Sequence, residues 1–227
     1  MKRTLLQGAA AAALAVCAAL PAQAVVINPY VLNTGTPTGG LAQSNMIGTE
    51  NWVAESFTLQ STTTINSILT YALSTSDASD AGQTFTVALY GSKTQGSAKV
   101  PNVNWYDPSG NQGQLDQFEA TYTAGGGWIG QSGLNWTLAA GTYFVAVEVD
   151  ANDGVSGLQL PTGVSNAPAN VALYTGGQGY AADTTPAADA FGLQVTVVTA
   201  VPEPSSAALL LAGLAFAGGV ARRRSRR

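Results

Sequence analysis

From Gly141 to Val149 the chain reads Gly-Thr-Tyr-Phe-Val-Ala-Val-Glu-Val, and runs of this period-two kind constrain the fold most. Side chains two apart share a face of a strand, so Tyr143, Val145, Val147 and Val149 fall on one side. Thr142, Phe144, Ala146 and Glu148 fall on the other. Phe85, Val87 and Leu89 alternate likewise with Thr84, Thr86, Ala88 and Tyr90, and Glu55–Leu59 puts Phe57 and Leu59 together. Further strands are predicted over Ile65–Leu73, Leu115–Thr123, Leu134–Leu138, Val155–Leu160, Asn170–Tyr174 and Phe191–Thr199. Turn clusters separate them at Ser74–Asp80, Gly91–Gly96, Gly125–Gly127, Asp150–Gly154 and Gly176–Gly179. No stretch between the termini carries a helical stripe. The pattern predicts an all-β fold, an antiparallel β-sandwich of jelly-roll-like kind. The absence of a fixed repeat period argues against a solenoid or propeller.

Both ends have another character. Lys2 and Arg3 precede an apolar run from Gly8 to Leu20, and Ala22-Gln23-Ala24 has the small-x-small form of a cleavage site. Residues 1–24 are therefore expected to be a secretory signal peptide, cleaved after Ala24 by signal peptidase once the secretion translocon is engaged. Residues 25–200 are expected to form one β-sandwich ectodomain. At the other end, the backbone restrictions of Pro202 and Pro204 break off any strand or helix running on from that domain. Seventeen uncharged residues follow, Ser205–Ala221, then Arg222, Arg223, Arg224, Arg226 and Arg227. As a helix the uncharged run is about 26 Å long, somewhat short of the roughly 30 Å hydrocarbon core. Thinning of the bilayer or snorkelling at the ends closes that gap. The arginines are expected to hold the C-terminus on the cytoplasmic side.

The succession Pro202-Glu203-Pro204, short apolar helix and terminal arginine cluster resembles the PEP-CTERM sorting signal of Gram-negative bacteria. The resemblance covers residues 201–227. It implies recognition by an exosortase, a membrane-embedded cysteine protease, with removal of the helix and delivery of the upstream part to the cell surface or matrix. Trp52–Leu59 with Thr64–Ile68, and Leu138–Phe144, also resemble stretches of PEP-CTERM ectodomains, which are mostly uncharacterised sandwiches. The family's association with exopolysaccharide and biofilm makes extracellular polysaccharide an expected partner.

Charge and residue types exclude several functions. Residues 25–200 hold two lysines against twelve carboxylates, a formal charge of −10, which repels nucleic acid and anionic lipid. The one cysteine, Cys17, lies in the signal run, and VCAAL lacks the pattern of a lipobox. The chain has no histidine, so Ser-His-Asp and Cys-His catalysis are unavailable and zinc loses its usual ligands. The carboxylates Asp116 with Glu119, or Glu148 with Asp150, are the pairs a glycoside hydrolase would draw on. Positions two apart on a strand, as Glu148 and Asp150 are, crowd like charges on one face without making a pocket.

Two binding chemistries remain. Asp150, Asn152 and Asp153 concentrate oxygen ligands at a strand end and are the candidate calcium site, although the spacing departs from an EF-hand loop. Ordinary turn chemistry accounts for the same residues. Trp105, Tyr106, Asp107 and Trp128, in glycine- and asparagine-rich surroundings, are the candidate glycan-binding residues, by ring stacking and hydrogen bonding. Trp136, at a strand centre, is expected in the core. The sequence thus predicts an exported, non-enzymatic surface protein that associates with polysaccharide. The rival is a structural or adhesive protein that self-associates, and a more remote alternative is a glycoside hydrolase. No cofactor other than calcium is expected.

Overall fold

Each of the nine stretches read as strands overlaps one in the computed structural model, which describes residues 30–40, 44–48, 51–73, 80–104, 113–149, 153–155, 157–176 and 179–198; β8 begins at Gly127, well ahead of the predicted Leu134–Leu138. The signal segment and the sorting tail lie outside the described residues. In chain order the strands are β1 (Tyr30–Asn33), β2 (Ser44–Ile47), β3 (Asn51–Leu59), β4 (Thr63–Ala72), β5 (Thr84–Gln95), β6 (Ala98–Pro101) and β7 (Gln114–Thr121). They continue with β8 (Gly127–Leu138), β9 (Gly141–Glu148), β10 (Leu158–Pro161), β11 (Val171–Thr175), β12 (Tyr180–Ala182) and β13 (Leu193–Val197). One turn of helix, α1 (Pro186–Asp189), was not expected. A proline in its first turn fits there because no intrahelical donor is lost.

Four strands of three or four residues were not predicted: β1, β2, β6 and β12. Strands β1, β6 and β12 take their hydrogen bonds from the longer β13, β5 and β11, whereas β2 pairs with the equally short β10. The predicted turn at Gly91–Gly96 is instead the continuation of β5 to Gln95, and the chain reverses at Gly96, whose φ is +63°. Strand β5 changes partners there. Residues 84–90 pair with β7 and 86–91 with β9, while 92–95 pair with β6.

The strands form two main antiparallel sheets. One has the order β1-β13-β4-β8; the other runs β12-β11-β3-β9-β5-β6, with β7 also paired to β5. A smaller pair, β10-β2, completes the fold. Val53, Phe57, Val145, Val147, Phe85, Val87 and Leu89 line one face of the larger sheet. They are buried in one hydrophobic core with Ile65, Ile68, Leu193 and Val195 of the smaller sheet. This is the sandwich.

The other face of the larger sheet is also buried. The sheet curls until β6 approaches β11 and β12. The Ala182 amide donates to Gln95 Oε1 (3.0 Å) and the Lys99 amide to Asn170 Oδ1 (3.3 Å). Inside the curl, Ala182, Ala172, Ala54, Ala146 and Ala88 stand opposite one another in turn across β12, β11, β3, β9 and β5. Directly opposed residues share a face, so these five methyl groups form a continuous low row. Larger side chains flank it: Phe144 and Tyr90 on one side, and Trp52, Tyr174, Tyr180 and Glu148 on the other. The concave face of a strongly curled sheet has room for tall side chains in some rows only if others are short.

Ala146→Leu would place three more heavy atoms where the neighbouring rows already meet. The substitution is expected to cost about 1–3 kcal/mol, with the long axis of the row disturbed on both sides. Urea denaturation of both proteins checks this; an unchanged midpoint would mean the row is not filled.

Candidate functional sites

The smaller sheet presents the one candidate glycan residue that falls among the described residues. Trp128 on β8 stands opposite Tyr71 on β4, next to Ile129 and Ala72, which are buried toward the core. Trp128 and Tyr71 therefore project from the outer face. Both are half-buried and meet edge to face, ring centroids 5.4 Å apart at 82°. Glycines fix this corner. A Cβ on Gly192 would press on Tyr71 and the Pro37 ring, and one on Gly130 would collide with the Ile68 carbonyl. Trp105, Tyr106 and Asp107 lie outside the described residues. Trp136 is half-buried against the core, tilted toward Phe118 at 6.1 Å, in keeping with a packing role.

A second cluster lies inside the curl, around Glu148. Tyr90 crosses the alanine row to donate to Glu148 Oε1 at 2.9 Å, and Tyr180 donates to the same oxygen at 2.7 Å. Gln114 Nε2 donates to Glu148 Oε2 (3.3 Å) and to the Tyr90 hydroxyl (3.1 Å). Trp52 stacks on Tyr174 (4.4 Å, 20°) and donates its indole N–H to the Val149 carbonyl. Burial, followed by the adjacent Glu148 carboxylate, drives both phenols well above the ordinary tyrosine range. They stay protonated as donors. A carboxyl held by two phenols and an amide beneath aromatic rings is built as a structural anchor.

Glu55 is the other buried acid. It faces the sandwich core from the middle of β3, fully buried. The Phe191 amide donates to its Oε1 at 2.6 Å. Its Oε2 has no hydrogen-bond partner among the described residues. Desolvation dominates over the single amide and raises its pKa well above the usual carboxylate range. Burial therefore favours the neutral acid here beyond the ordinary carboxylate range.

The remaining expectations divide between these regions. Asp116 and Glu119, three apart on β7, point to opposite faces and do not form an acid/base pair. Asp116 is exposed and its carboxyl is raised by partial desolvation. Glu148 is buried among its donors, and Asp150 lies outside the described residues with Asn152. Of the calcium candidates Asp153 is described; it accepts a hydrogen bond from Thr86 Oγ1 at 3.4 Å. Tyr71, Tyr90, Tyr180 and Gln114 were not singled out by the sequence. Glu55 alone carried a signal, as a carboxylate in the otherwise uncharged run Trp52–Leu59.

A folded-state pKa above the unfolded value means that the contribution of neutral Glu55 is full below about pH 4.3. It is lost as pH rises toward the folded value. Glu55→Gln keeps an oxygen for the Phe191 amide and removes the titration. Its stability relative to the natural protein is expected to grow between pH 5 and pH 8, by at most about 1.4 kcal/mol per pH unit. Urea unfolding at the two pH values measures this. Parallel pH profiles would mean that Glu55 ionises normally.

Family comparison adds the end of the chain. No curated protein and no solved structure shows significant similarity to it. Residues 200–227 match the family model described as the PEP-CTERM protein-sorting motif. That motif marks an exported protein that transits the membrane, is processed by exosortase and ends at the cell surface. Residues 200–227, with Pro202-Glu203-Pro204 at their head, thus carry the PEP-CTERM protein-sorting motif.

Proposed function

We propose that this is a non-enzymatic surface or matrix protein that associates with extracellular polysaccharide after exosortase processing. The observation that carries the reading is the Trp128–Tyr71 pair held half-open on a sheet face of an exported protein. Sugar rings stack on such faces, and nearby amides and hydroxyls take their hydroxyl groups. A binding role is supported further by how the carboxylates are used. Glu148 is committed to Tyr90, Tyr180 and Gln114, and Asp116 and Glu119 face apart.

The rival, self-association through strand edges, has less support. Unpaired edges template association only where they are long and regular. Strand β1 has four residues and an irregular register, and β12 has three. Strand β8 has shifted register against β4 and carries positive φ at Gly133 and Asn135. The β7 edge bears exposed Asp116 and Glu119.

Two measurements test the reading. Intact mass of the protein from the producing cell is expected to lack the apolar tail; a product still carrying residues 205–227 would remove exosortase processing. Co-sedimentation with the producer's own exopolysaccharide is expected to saturate. A protein that stays in solution, and assembles with itself instead, would favour the structural rival.

A further inference from the structure

We infer that the outer face of the β1-β13-β4-β8 sheet docks a neutral polysaccharide chain, in preference to an acidic one; this rests on the polysaccharide association proposed above. None of these four strands contains a charged residue. All the charged strand residues described here lie elsewhere: Glu55, Lys93, Lys99, Asp116, Glu119 and Glu148 belong to β3, β5, β6, β7 and β9. Solvent-facing sheet surfaces ordinarily use charge for solubility and to resist association. This one uses hydroxyls, amides and rings.

The register lays these groups out in order. Tyr71 and Trp128 form one row, and Gln194 lies in the row of Leu69 and Gly130. Thr196, Ser67 and Ser132 form the next row; Ser67 is buried with its hydroxyl paired to that of Thr196, so Thr196 and Ser132 are the groups turned to solvent. From the aromatic row to the hydroxyl row is four residues along β4, about 13 Å at the rise of a strand. Gly130 leaves the surface between Trp128 and Ser132 without a side chain, and the Ile68 carbonyl forbids one. One flank of the indole is therefore open along the strand. Strand β13 ends at Val197, beside the hydroxyl row, whereas the aromatic pair stands at the other end of the sheet.

Charge selects the partner's class. Residues 25–200 carry a formal charge of −10, and the face has no cation to pair with a uronate, sulfate or phosphate. An acidic polymer would meet net repulsion with no compensating ion pair. A neutral chain needs none. A second copy of the protein is a poorer occupant. At the rise and spacing of strands, the lengths of β1, β13, β4 and β8 cover about 500 Å², against roughly 800 Å² per partner in a stable protein interface.

The test uses the full chain in mild detergent against mixed-linkage β-glucan, galactomannan, polygalacturonate and the producer's exopolysaccharide. Saturable binding to at least one neutral polymer is expected, unchanged in 0.5 M salt because no ion pair is involved. Trp128→Ala should weaken it at least tenfold. Gln194→Glu, a half-exposed position, should weaken it severalfold with an unaltered melting temperature. Preference for polygalacturonate over the neutral polymers overturns the inference. Both variants binding the producer's exopolysaccharide as the natural protein does would remove this face while leaving polysaccharide association standing. A natural protein that binds none of the four polymers removes both.

Discussion

Burial of both faces of β3, β9 and β5 is the constraint on which the rest of the domain depends. These strands form the wall between two buried layers of the hydrophobic core, one inside the sandwich and one inside the curl of the larger sheet. A strand buried on both faces cannot follow the simple in-out rule of an exposed antiparallel sheet. The side chains divide by size instead: branched and aromatic residues fill the sandwich side, and alanines make the floor of the curl. Tall residues on the flanking rows then close over the alanines, which is how Tyr90 reaches Glu148 across them.

The two buried carboxyls show two solutions to the same problem. Burying an acid without partners costs several kcal/mol, or else the group takes up its proton. Around Glu148, Tyr90, Tyr180 and Gln114 surround the oxygens with donors, and the phenols are driven upward by burial and by that carboxylate. Glu55 receives a single amide, from a residue just ahead of β13, and burial shifts it toward the neutral acid. The first arrangement ties β5, β7, β9 and β12 together inside the curl. The second joins the two sheets of the sandwich, because Glu55 belongs to one and the Phe191 amide leads into the other.

Targeting and binding are separated along the chain. The sorting motif occupies residues 200–227 and fixes the destination. The folded domain, residues 30–198 where described, confines its charged strand residues to the larger sheet and leaves the smaller one with only neutral polar and apolar groups on its strands. An uncharged face on a strongly acidic domain has physical consequences. It remains hydrated through hydroxyls and amides, and it offers nothing to a polyelectrolyte.

The sequence by itself determined the all-β class, the approximate places of nine strands, the sorting end and the acidic balance. These follow from local properties: side-chain alternation every two residues, glycine-rich turns, prolines ahead of an apolar run, and counts of charge. Trp128 was legible as an exposed aromatic candidate because it adjoins the Gly125–Gly127 turn. Its partner was not, since Tyr71 precedes it by 57 residues and joins it only through the register of β4 against β8. The same holds for the alanine row, whose five members look unremarkable singly and become a feature only when five strands are laid side by side. The short strands β1, β2, β6 and β12 were invisible for a related reason, their conformation being imposed by the strands they pair with. Pairing register is a relation between distant segments, decided by which cores must be filled, and the tertiary structure alone supplied it.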